Sequence, residues 1–383
     1  MSFGLNSEQK LLQDSVRKLH EKHAPRDYLR RLEREDAYPY ELYKAWVDAG
    51  LFGVAFPEQY GGSGGSVADL AVIVYEIAYA SIDFQMSFGG AVFCGLNILR
   101  KGTEEQKQYW LPKLISGERK LSISISEPEA GSDVGSLRTR AARDGAQFVV
   151  NGQKVWNTGA GADDLTLSVY LKTDTSVHYR QGISLFLIDN DAPGVKFKKL
   201  DMLGRRCTGT YEVFFTDVRV DENRIIGGEN KGWDCLLSGL QVERIVSAAG
   251  NCGAAQACVD LASAYAKERK QFGRTIGSNQ AIAHMLADMQ TETAAAWALL
   301  WHAANAVASG QDAFKEITMA KLKAAENYVN VSRMGMQICG GMGYSKEFDM
   351  ERHYRDASPS TVAAGTSQIQ RNLIAGMMGH KVS

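Results

Sequence analysis

The sequence predicts a mostly helical α+β fold, because two helical blocks enclose one block of strands. Apolar residues recur at helical spacing through the first third of the chain and again in long segments toward its end. Between these blocks, apolar and polar residues alternate in short segments, which is typical of strands. This order predicts an N-terminal helical domain (1–120), a middle antiparallel β-domain (121–230) and a C-terminal four-helix domain (231–383).

The composition is that of an ordinary globular chain and argues against several classes of function. The 383 residues are 45% hydrophobic and 23% charged, and the formal net charge is −1. A balance so near neutrality gives no electrostatic case for binding nucleic acid or a membrane surface. We see neither a signal peptide nor an apolar run as long as a membrane span, so we expect a cytoplasmic protein.

Cysteine and histidine usage argues against a metal centre. The six cysteines form no C-x-x-C pair, so we expect reduced and mostly buried thiols. His20 and His23 are three residues apart on a predicted helix but have no nearby set of cysteine or acidic ligands. We therefore expect no metal site.

The first block reads as a series of helices. Asn6, followed three residues later by Gln9, matches a capping box, and apolar residues at helical spacing follow it. A glycine-rich loop covers residues 56–66. Further helices are predicted at residues 40–50, 66–83, 84–100 and 104–116.

The middle block reads as strands. Residues 121–126 alternate strictly between apolar and polar, which predicts a half-buried strand. Residues 147–156 predict a hairpin with Asn151 and Gly152 at its turn, because Asn-Gly is a strong hairpin signal. Further strands are predicted at residues 182–189, 195–200 and 210–220.

The last block returns to long helical patterns. The sequence as a whole also lacks the motifs of familiar nucleotide-binding and hydrolase sites. The chain has no G-x-G-x-x-G after a strand, no P-loop and no G-x-S-x-G. The predicted helices cover residues 232–270, 279–309, 312–338 and 366–378.

Glu243 is out of place in its helical pattern. Its neighbours at helical offsets of three, four and seven are apolar or glycine, namely Leu236, Gly239, Leu240, Val246 and Gly250. Removing a carboxylate from water costs several kcal/mol unless it is paired or neutralised. The residues alone leave two interpretations, a catalytic acid and a structural acid satisfied by an arginine or a backbone amide.

Several small-residue loops could bind an anionic or aromatic ligand. Residues 126–136 follow a strand and could cradle an anion, or form a plain surface loop. Trp156 could lie against an aromatic ligand or belong to the core. Arg269 could bind a phosphate or form a surface salt bridge. The turns at 337–344 and 363–371 adjoin helices whose N-termini could bind anions.

Taken together, five ordered motifs resemble those of the acyl-CoA dehydrogenase family over nearly the whole chain. They read EPEAGSDVGS, NGQKVWNTG, ERKQFG, QICGGMGY and GTSQIQR, and FPEQYGG and KLDMLGRRCTGTYEVFFTDVRV support them. The resemblance implies the three-domain fold, FAD as cofactor, an acyl-CoA substrate and a homotetramer. It also implies an electron-transferring flavoprotein as electron acceptor.

Carried over residue by residue, the resemblance implies two groups of cofactor-binding residues. Those that would contact the flavin ring are Ile125, Ser126, Trp156 and Thr158, and Ser132 would meet the cofactor phosphate or the CoA portion of the substrate. Those that would hold the nucleotide of FAD in a neighbouring subunit are Arg269, Phe272, Gln280, Gln337 and Gly341, with Thr366 and Gln368 closing over it. Arg244 would lie near the CoA arm of the substrate.

The resemblance also implies a role for Glu243. The family removes a proton α to a thioester while a hydride leaves the β carbon for the flavin. Many members carry the carboxylate for the first step where this sequence has Ala364, but isovaleryl-CoA and long-chain members carry it at the position of Glu243. Glu243 is therefore implied as the base, with a pKa raised by its apolar surroundings. The backbone N–H of Ala364 and a ribityl hydroxyl of FAD are implied as donors to the enolate oxygen.

Three departures and several alternatives accompany this interpretation. Gln241 replaces an aspartate near the CoA arm, Glu129 replaces a glycine, and Gln271 replaces a threonine beside the adenine. The same residues would serve an enoyl-CoA reductase or an enzyme for an unusual acyl-CoA, because the residues do not set the direction of reaction. A flavin monooxygenase or a non-catalytic flavin-binding relative would not need Glu243.

Overall fold

The computed structural model describes residues 3–381 and confirms the predicted fold class. The first block is helical, and its helices are α1 (Ser7–His23), α2 (Arg26–Glu35), α3 (Tyr40–Asp48), α4 (Val67–Ala80), α5 (Ile82–Lys101) and α6 (Glu104–Ile115). The capping box of α1 is confirmed. The Asn6 side chain accepts from the Gln9 backbone N–H at 2.8 Å, and the Gln9 side chain accepts from the Asn6 N–H at 3.2 Å.

The strands form one eight-stranded sheet. They are β1 (Lys120–Ser124), β2 (Arg140–Asp144), β3 (Gln147–Thr158), β4 (Leu165–Lys172), β5 (Ile183–Asp189), β6 (Val195–Lys199), β7 (Thr210–Asp221) and β8 (Ile225–Ile226). Their order is β6-β7-β3-β2-β4-β5-β8, with β1 beside β4. Most pairs are antiparallel as predicted, but β1 runs parallel to β4, and β2 meets β4 in a parallel pair. Strands β2, β4 and β8 were not predicted.

The prediction that β1 is half buried is wrong. Lys120, Leu121, Ser122 and Ser124 are all buried, so both faces of the strand are covered. The physical reason is that β1 packs against α5 of the helical block while it pairs with β4. Ser122 and Ser124 share one face of the strand and are covered by protein, which the alternating pattern did not reveal.

The predicted hairpin at Asn151 and Gly152 is also wrong. Strand β3 continues through both residues, and the actual hairpin joins β2 to β3 at Gly145, whose φ is +64°. At Asn151 a bulge shifts the pairing with β7. The Asn151 side chain accepts from the Asp217 backbone N–H at 2.9 Å and donates to the Asp217 carboxylate at 3.0 Å. Pairing with a distant strand therefore overrides the local turn preference.

The last block contains the four predicted helices. These are α7 (Gly232–Glu268), α8 (Gln280–Ala308), α9 (Phe314–Cys339) and, after α10 (Gly341–Tyr344) and α11 (Met350–Ala357), α12 (Ser367–Met377). A two-stranded hairpin of β9 (Lys270–Gln271) and β10 (Arg274–Thr275) separates α7 from α8. The short helices α10 and α11 were not predicted.

Helix α7 is the centre of the molecule, because it packs against α4, α5, α8 and α9. Helix α5 has the length and composition of a membrane span, contrary to the expectation from the sequence, but 83% of its most apolar window is buried inside the protein. Core helices commonly meet the same criterion. The six cysteines are free and buried, as predicted. Among residues 3–381, no group of three or more His, Cys, Asp and Glu residues is arranged to hold a metal ion.

The close crossing of α4 and α7 generates a stability prediction. Gly253 of α7 leaves no space for a side chain, because an added Cβ would lie well inside van der Waals contact of the Tyr75 carbonyl oxygen on α4. We expect Gly253→Ala to lower the free energy of unfolding by about 1–3 kcal/mol. Denaturant unfolding followed by circular dichroism measures this change.

The matched control is Gly376→Ala on the exposed α12, where an added Cβ meets nothing within 4 Å. This substitution should leave the free energy of unfolding unchanged or raise it by up to about 1 kcal/mol, because alanine favours a helix more than glycine does. Equal stability of the two variants would show that the backbone contact at Gly253 is not limiting.

Candidate active site

Glu243 lies on α7 on the buried, apolar face that its sequence pattern predicts. Its neighbours Leu236, Gly239 and Val246 are buried. The residue as a whole keeps partial contact with solvent, but its Oε2 oxygen is buried and has no hydrogen-bond partner among the described residues. Burial raises the pKa of Glu243 to about 7, against the opposing effects of Arg244 and Lys321. A carboxyl group poised near neutral pH can exchange a proton with a ligand.

Arg244 is buried beside Glu243 and is not used in an ion pair. Its guanidinium lies over the ring of Phe314, 5.2 Å from the ring centroid. Its Nε and Nη1 atoms have no hydrogen-bond partner within the described part of the chain. Burial lowers the pKa of Arg244, and Glu243 partly offsets this effect. The adjacent arginine therefore does not satisfy Glu243 by a hydrogen bond, and its contact with a CoA arm stays a prediction.

Lys321 is a residue of this site that the sequence reasoning missed. It lies on α9, is fully buried, and donates from Nζ to the backbone oxygens of Gly365 at 2.7 Å and Ser360 at 3.3 Å. Burial lowers its pKa to about 8, although Glu243 acts to raise it. The available signal was a lysine on the apolar helix face that includes Ile317 and Ala324, which is the same kind of signal that identified Glu243.

The turn that Lys321 holds contains Ala364. This residue has φ = +55°, a left-handed conformation that a non-glycine residue adopts at a cost. The Gln370 side chain donates to the backbone oxygens of Ala364 at 3.2 Å and Gly365 at 3.1 Å. The Ala364 N–H donates to none of the described residues. The turn thus has fixed carbonyl groups, and the Ala364 N–H is a backbone donor that stays open within residues 3–381.

In the β-domain, a buried ion pair organises the loop after β1. Lys154 of β3 is fully buried, and its Nζ donates to the Ile125 backbone oxygen at 2.8 Å and to the Glu127 carboxylate at 2.9 Å. Glu127 also accepts backbone N–H groups from Arg138 and Thr139. Ser126 lies between these anchors and accepts from the Val155 N–H at 2.9 Å. The sequence reasoning identified Ile125 and Ser126 but missed Lys154 and Glu127, which hold them.

Trp156 projects from the second irregularity in the pairing of β3 with β7, where the extra residue lies in β3. The pairing of β3 with β7 shifts between Lys154 and Asn157, and Trp156 within the shift has φ = +62°. Its side chain is 58% exposed, so it is not a core residue. Thr158 follows at the strand end and is partly buried. An exposed aromatic ring on strained backbone, beside the anchored Ser126 loop, is suited to contact with a flat ligand.

Most of the remaining predicted ligands lie on the surface. Ser132, Arg269, Gln280, Gln337, Gly341 and Gln368 are exposed, and Phe272, at the tip of the β9–β10 hairpin, is 98% exposed. Gln337 lines an open groove of about 790 Å³ between α8 and α9. Thr366 caps α12 by accepting from the Ile369 N–H at 3.1 Å. An exposed aromatic residue on a hairpin tip is suited to contact with another molecule.

Two of the three departures from the family pattern have contacts on the surface. Glu129 forms an ion pair with Arg138, and both side chains are exposed. The Gln271 side chain donates to the Lys270 backbone oxygen at 2.7 Å. Gln241 is partly buried on α7. None of these three residues contacts Glu243, Lys321 or the Ala364 turn through a hydrogen bond within the described residues.

Comparison with known proteins agrees with these features. Models of the acyl-CoA dehydrogenase N-terminal, middle and C-terminal domains match residues 6–118, 122–218 and 230–379. The mitochondrial isovaleryl-CoA dehydrogenase of Pongo abelii is 37% identical over 377 residues, which cover 97% of this chain and 88% of that relative. The caffeyl-CoA reductase-Etf complex subunit CarC of Acetobacterium woodii is 36% identical over 376 residues, covering 97% and 98%. The crystal structure of an acyl-CoA dehydrogenase from Geobacillus kaustophilus superposes with a TM-score of 0.94 at 32% identity, covering 99% and 100%.

The electrostatics of the site give a direct prediction. We expect Glu243 to titrate with a pKa of about 7. Lys321→Met should raise that pKa further, because the substitution removes a positive charge that favours the carboxylate. Infrared difference spectra between pH 5 and pH 9, with Glu243→Gln as the reference for band assignment, measure both values.

Lys323→Met is the matched control on the same helix. Lys323 is partly exposed and pairs with Glu292, so its loss should leave the pKa of Glu243 unchanged. A Glu243 pKa near the ordinary value of a solvated glutamate would contradict the burial argument.

Proposed function

The chain belongs to the acyl-CoA dehydrogenase family, whose members are FAD flavoproteins, and we propose that it catalyses the α,β-dehydrogenation of an acyl-CoA thioester with Glu243 as the base. The observation that carries this proposal is the Oε2 atom of Glu243, which is buried, unpartnered and part of a carboxyl group with a pKa of about 7. Bound FAD supplies the hydride acceptor for the β carbon.

Proton removal from the α carbon is the task proposed for the Glu243 carboxylate. A base is most effective when its pKa lies near the working pH, and burial raises the pKa of Glu243 to that region. Lys321 and Arg244 limit the rise, so part of the Glu243 population is ionised at neutral pH. Oε2 makes no hydrogen bond within residues 3–381 that would have to break before it accepts a proton.

Stabilisation of the enolate oxygen is the task proposed for the Ala364 turn. The Ala364 side chain cannot act as a base, but its backbone N–H is free. Lys321 and Gln370 hold the carbonyl groups of this turn, so they fix its orientation. A donor fixed before the reaction stabilises developing charge without reorganisation. Loss of a glutamate at residue 364 is therefore compatible with an active site whose base has moved to α7.

The residues of the β-domain fit a flavin. Trp156 presents an exposed ring, and Ile125 and Ser126 belong to a loop that Lys154 and Glu127 anchor. We propose that the Trp156 ring packs against the flavin and that Ser126 and Thr158 reach its polar edge. Ser132 is proposed to meet the cofactor phosphate or the CoA portion, and Arg244 to lie near the CoA arm.

The proposed assembly is a homotetramer in which one subunit completes the nucleotide site of another. The support is the exposure of Phe272 and the open groove beside Gln337. The other residues proposed to hold the nucleotide of FAD in a neighbouring subunit are Arg269, Gln280, Gly341, Thr366 and Gln368. We further propose a cytoplasmic location and an electron-transferring flavoprotein as electron acceptor. The name of the Acetobacterium woodii relative, a subunit of a reductase-Etf complex, supports such a partner.

A physiological enoyl-CoA reductase is the second candidate, because that relative is named a caffeyl-CoA reductase. In the reductive direction the Glu243 carboxylic acid would return a proton to the α carbon, so the same residues would serve both reactions. The direction depends on the flavin potential and the partner. Measuring whether an electron-transferring flavoprotein or an enoyl-CoA oxidises the reduced enzyme faster distinguishes the two candidates.

The role of Glu243 is tested by Glu243→Gln. The amide keeps the shape of the side chain but cannot accept the proton, so flavin reduction by a bound acyl-CoA should slow by about 10²–10⁴-fold. FAD content and thioester binding should remain close to wild type. In the wild type the rate should rise with pH through about 7, because the ionised carboxylate is the active form. The variant should lack this rise, and stopped-flow absorbance of the flavin measures both effects.

A second substitution tests whether a carboxylate at a different residue can replace Glu243 as the base. Ala364→Glu in the Glu243→Gln background should restore part of the rate, since many family members carry the carboxylate there. Flavin reduction at the wild-type rate in Glu243→Gln itself would assign the base to another residue.

Trp156→Ala tests the flavin contact. We expect weaker retention of FAD and a changed flavin spectrum, because an aromatic face is lost. Since the side chain is 58% exposed, the free energy of unfolding of the apoprotein should change by less than about 0.5 kcal/mol. Equilibrium dialysis and absorbance spectra measure the first effect. Tyr109→Ala, which removes another exposed aromatic side chain on α6, is the control that should leave FAD affinity unchanged.

A further inference from the structure

A small cavity lies where α5, α7, β1 and β4 meet. Its volume is about 10 Å³, which is room for one water-sized group such as a hydroxyl. Phe93, Ile123 and Leu240 form part of its apolar wall. Asn97 and Tyr170 contribute polar groups to the same cavity, and Ser168 and Cys94 also line it. A mixed lining of this kind differs from the purely apolar wall that a plain alkyl chain would need.

The cavity adjoins the proposed reaction site. Gly239 and Leu240 line it and precede Glu243 by four and three residues on α7, so all three share one face of the helix. Ile123 lies two residues before Ile125, at the end of β1. The Glu243 carboxylate is also near enough to add to the effect of burial in raising the pKa of Tyr170. A thioester with its α carbon at Glu243 can therefore direct its acyl chain toward the cavity.

The polar groups of the cavity are only partly satisfied. Asn97 is 5% exposed and donates from Nδ2 to the Tyr170 hydroxyl at 2.9 Å. Its Oδ1 has no partner within the described residues, and the Tyr170 hydroxyl donates no hydrogen bond to any of them. One buried acceptor and one buried donor thus remain open at the same place. Leaving such groups unpaired is unfavourable, so a ligand group that pairs with both of them would bind favourably here.

No competing side chain fills the position beside Asn97. Gly239 faces the amide from α7, and a Cβ added there would lie 3.2 Å from Nδ2 of Asn97. No lysine, arginine, aspartate or glutamate lines the cavity. A charged group on the ligand would therefore lack a counter-ion, whereas a neutral group that both donates and accepts would pair with Oδ1 and with the Tyr170 hydroxyl.

We propose that this cavity binds a hydroxyl group carried on the acyl chain of the thioester, so that the substrate class is hydroxyacyl-CoA rather than plain alkyl-CoA. The inference rests on the proposed function and deepens it. The hydroxyl donates to Asn97 Oδ1 and accepts from Tyr170. One turn of α7 separates Gly239 from Glu243, about 6 Å along the axis. The hydroxyl therefore belongs on a carbon several bonds beyond the α carbon.

The test compares matched thioesters with the FAD-loaded enzyme. The pairs are 5-hydroxyvaleryl-CoA with valeryl-CoA and 6-hydroxyhexanoyl-CoA with hexanoyl-CoA. We expect kcat/KM and thioester affinity to favour the hydroxyl member of at least one pair by tenfold or more. Asn97→Leu, which has a similar shape but no polar atom, should reverse the preference. Tyr170→Phe should reduce it and serves as the second variant if Asn97→Leu fails to fold.

Asn251→Leu is the matched control. Like Asn97 on α5, Asn251 on α7 is buried, and its Oδ1 has no partner within the described residues. Asn251 does not line the cavity. Its substitution should change the two members of each pair by the same factor. This result would separate a selective contact from a general loss of stability.

The outcomes are distinct for the two proposals. Equal or better use of the alkyl thioesters by wild type, with the ratio unchanged in Asn97→Leu, would overturn the hydroxyl site and leave the cavity to a buried water. If no thioester reduces the flavin, the proposed dehydrogenation fails. The dissociation constants of each pair, measured from the perturbation of the flavin spectrum, then still decide the hydroxyl preference.

Discussion

Burial of an ionisable group in the middle of α7 is the constraint on which the site depends. The helix that carries Glu243 packs against four other helices, so the Oε2 oxygen is buried although the residue as a whole stays partly exposed. The fold tolerates this because Lys321, buried on the neighbouring α9, supplies a compensating charge without a direct hydrogen bond. Burial raises the pKa of Glu243 and lowers the pKa of Lys321. For both residues, desolvation therefore outweighs their mutual attraction. Neither group is locked into an ion pair, which leaves the carboxyl group available to a ligand.

A second buried lysine does a different task in the β-domain. Lys154 pairs directly with Glu127, and together they tie the loop after β1 to the middle of β3. A direct ion pair fixes the position of the loop after β1. Glu243 and Lys321 form no direct ion pair within the described residues, so the Glu243 carboxyl group stays available to a ligand. The molecule thus has a rigid ion pair where the proposed flavin ligands are positioned, and an incomplete one where the proposed proton transfer takes place.

The sequence predicted the long helices well because their apolar residues repeat over many turns, and it identified Glu243 because a charge interrupts that repeat. Lys321 interrupts α9 in the same way and was accessible to the same reasoning. Asn151 and Gly152 could not be read correctly, because the local turn preference is overridden by pairing with β7, which is distant in sequence. Strand β4 is buried on both faces, but its sequence LTLSVYLK alternates between apolar and polar residues, so the pattern that predicted β1 was also available for β4. The free Ala364 N–H and the open groups of Asn97 depend on tertiary contacts that no local pattern encodes.

The two bulges between β3 and β7 have a consequence for how this sheet can change during evolution. Val150 pairs with Val218, and Asn157, seven residues later, pairs with Tyr211, seven residues earlier, so the two irregularities cancel. The first places the additional residue in β7 and the second places it in β3. Removing either bulge alone would shift every following residue to the opposite face and turn the inward side chains of one strand end outward. An insertion or deletion in one of these strands would therefore keep the faces in register only with a compensating change, and the orientation of Trp156 depends on both irregularities.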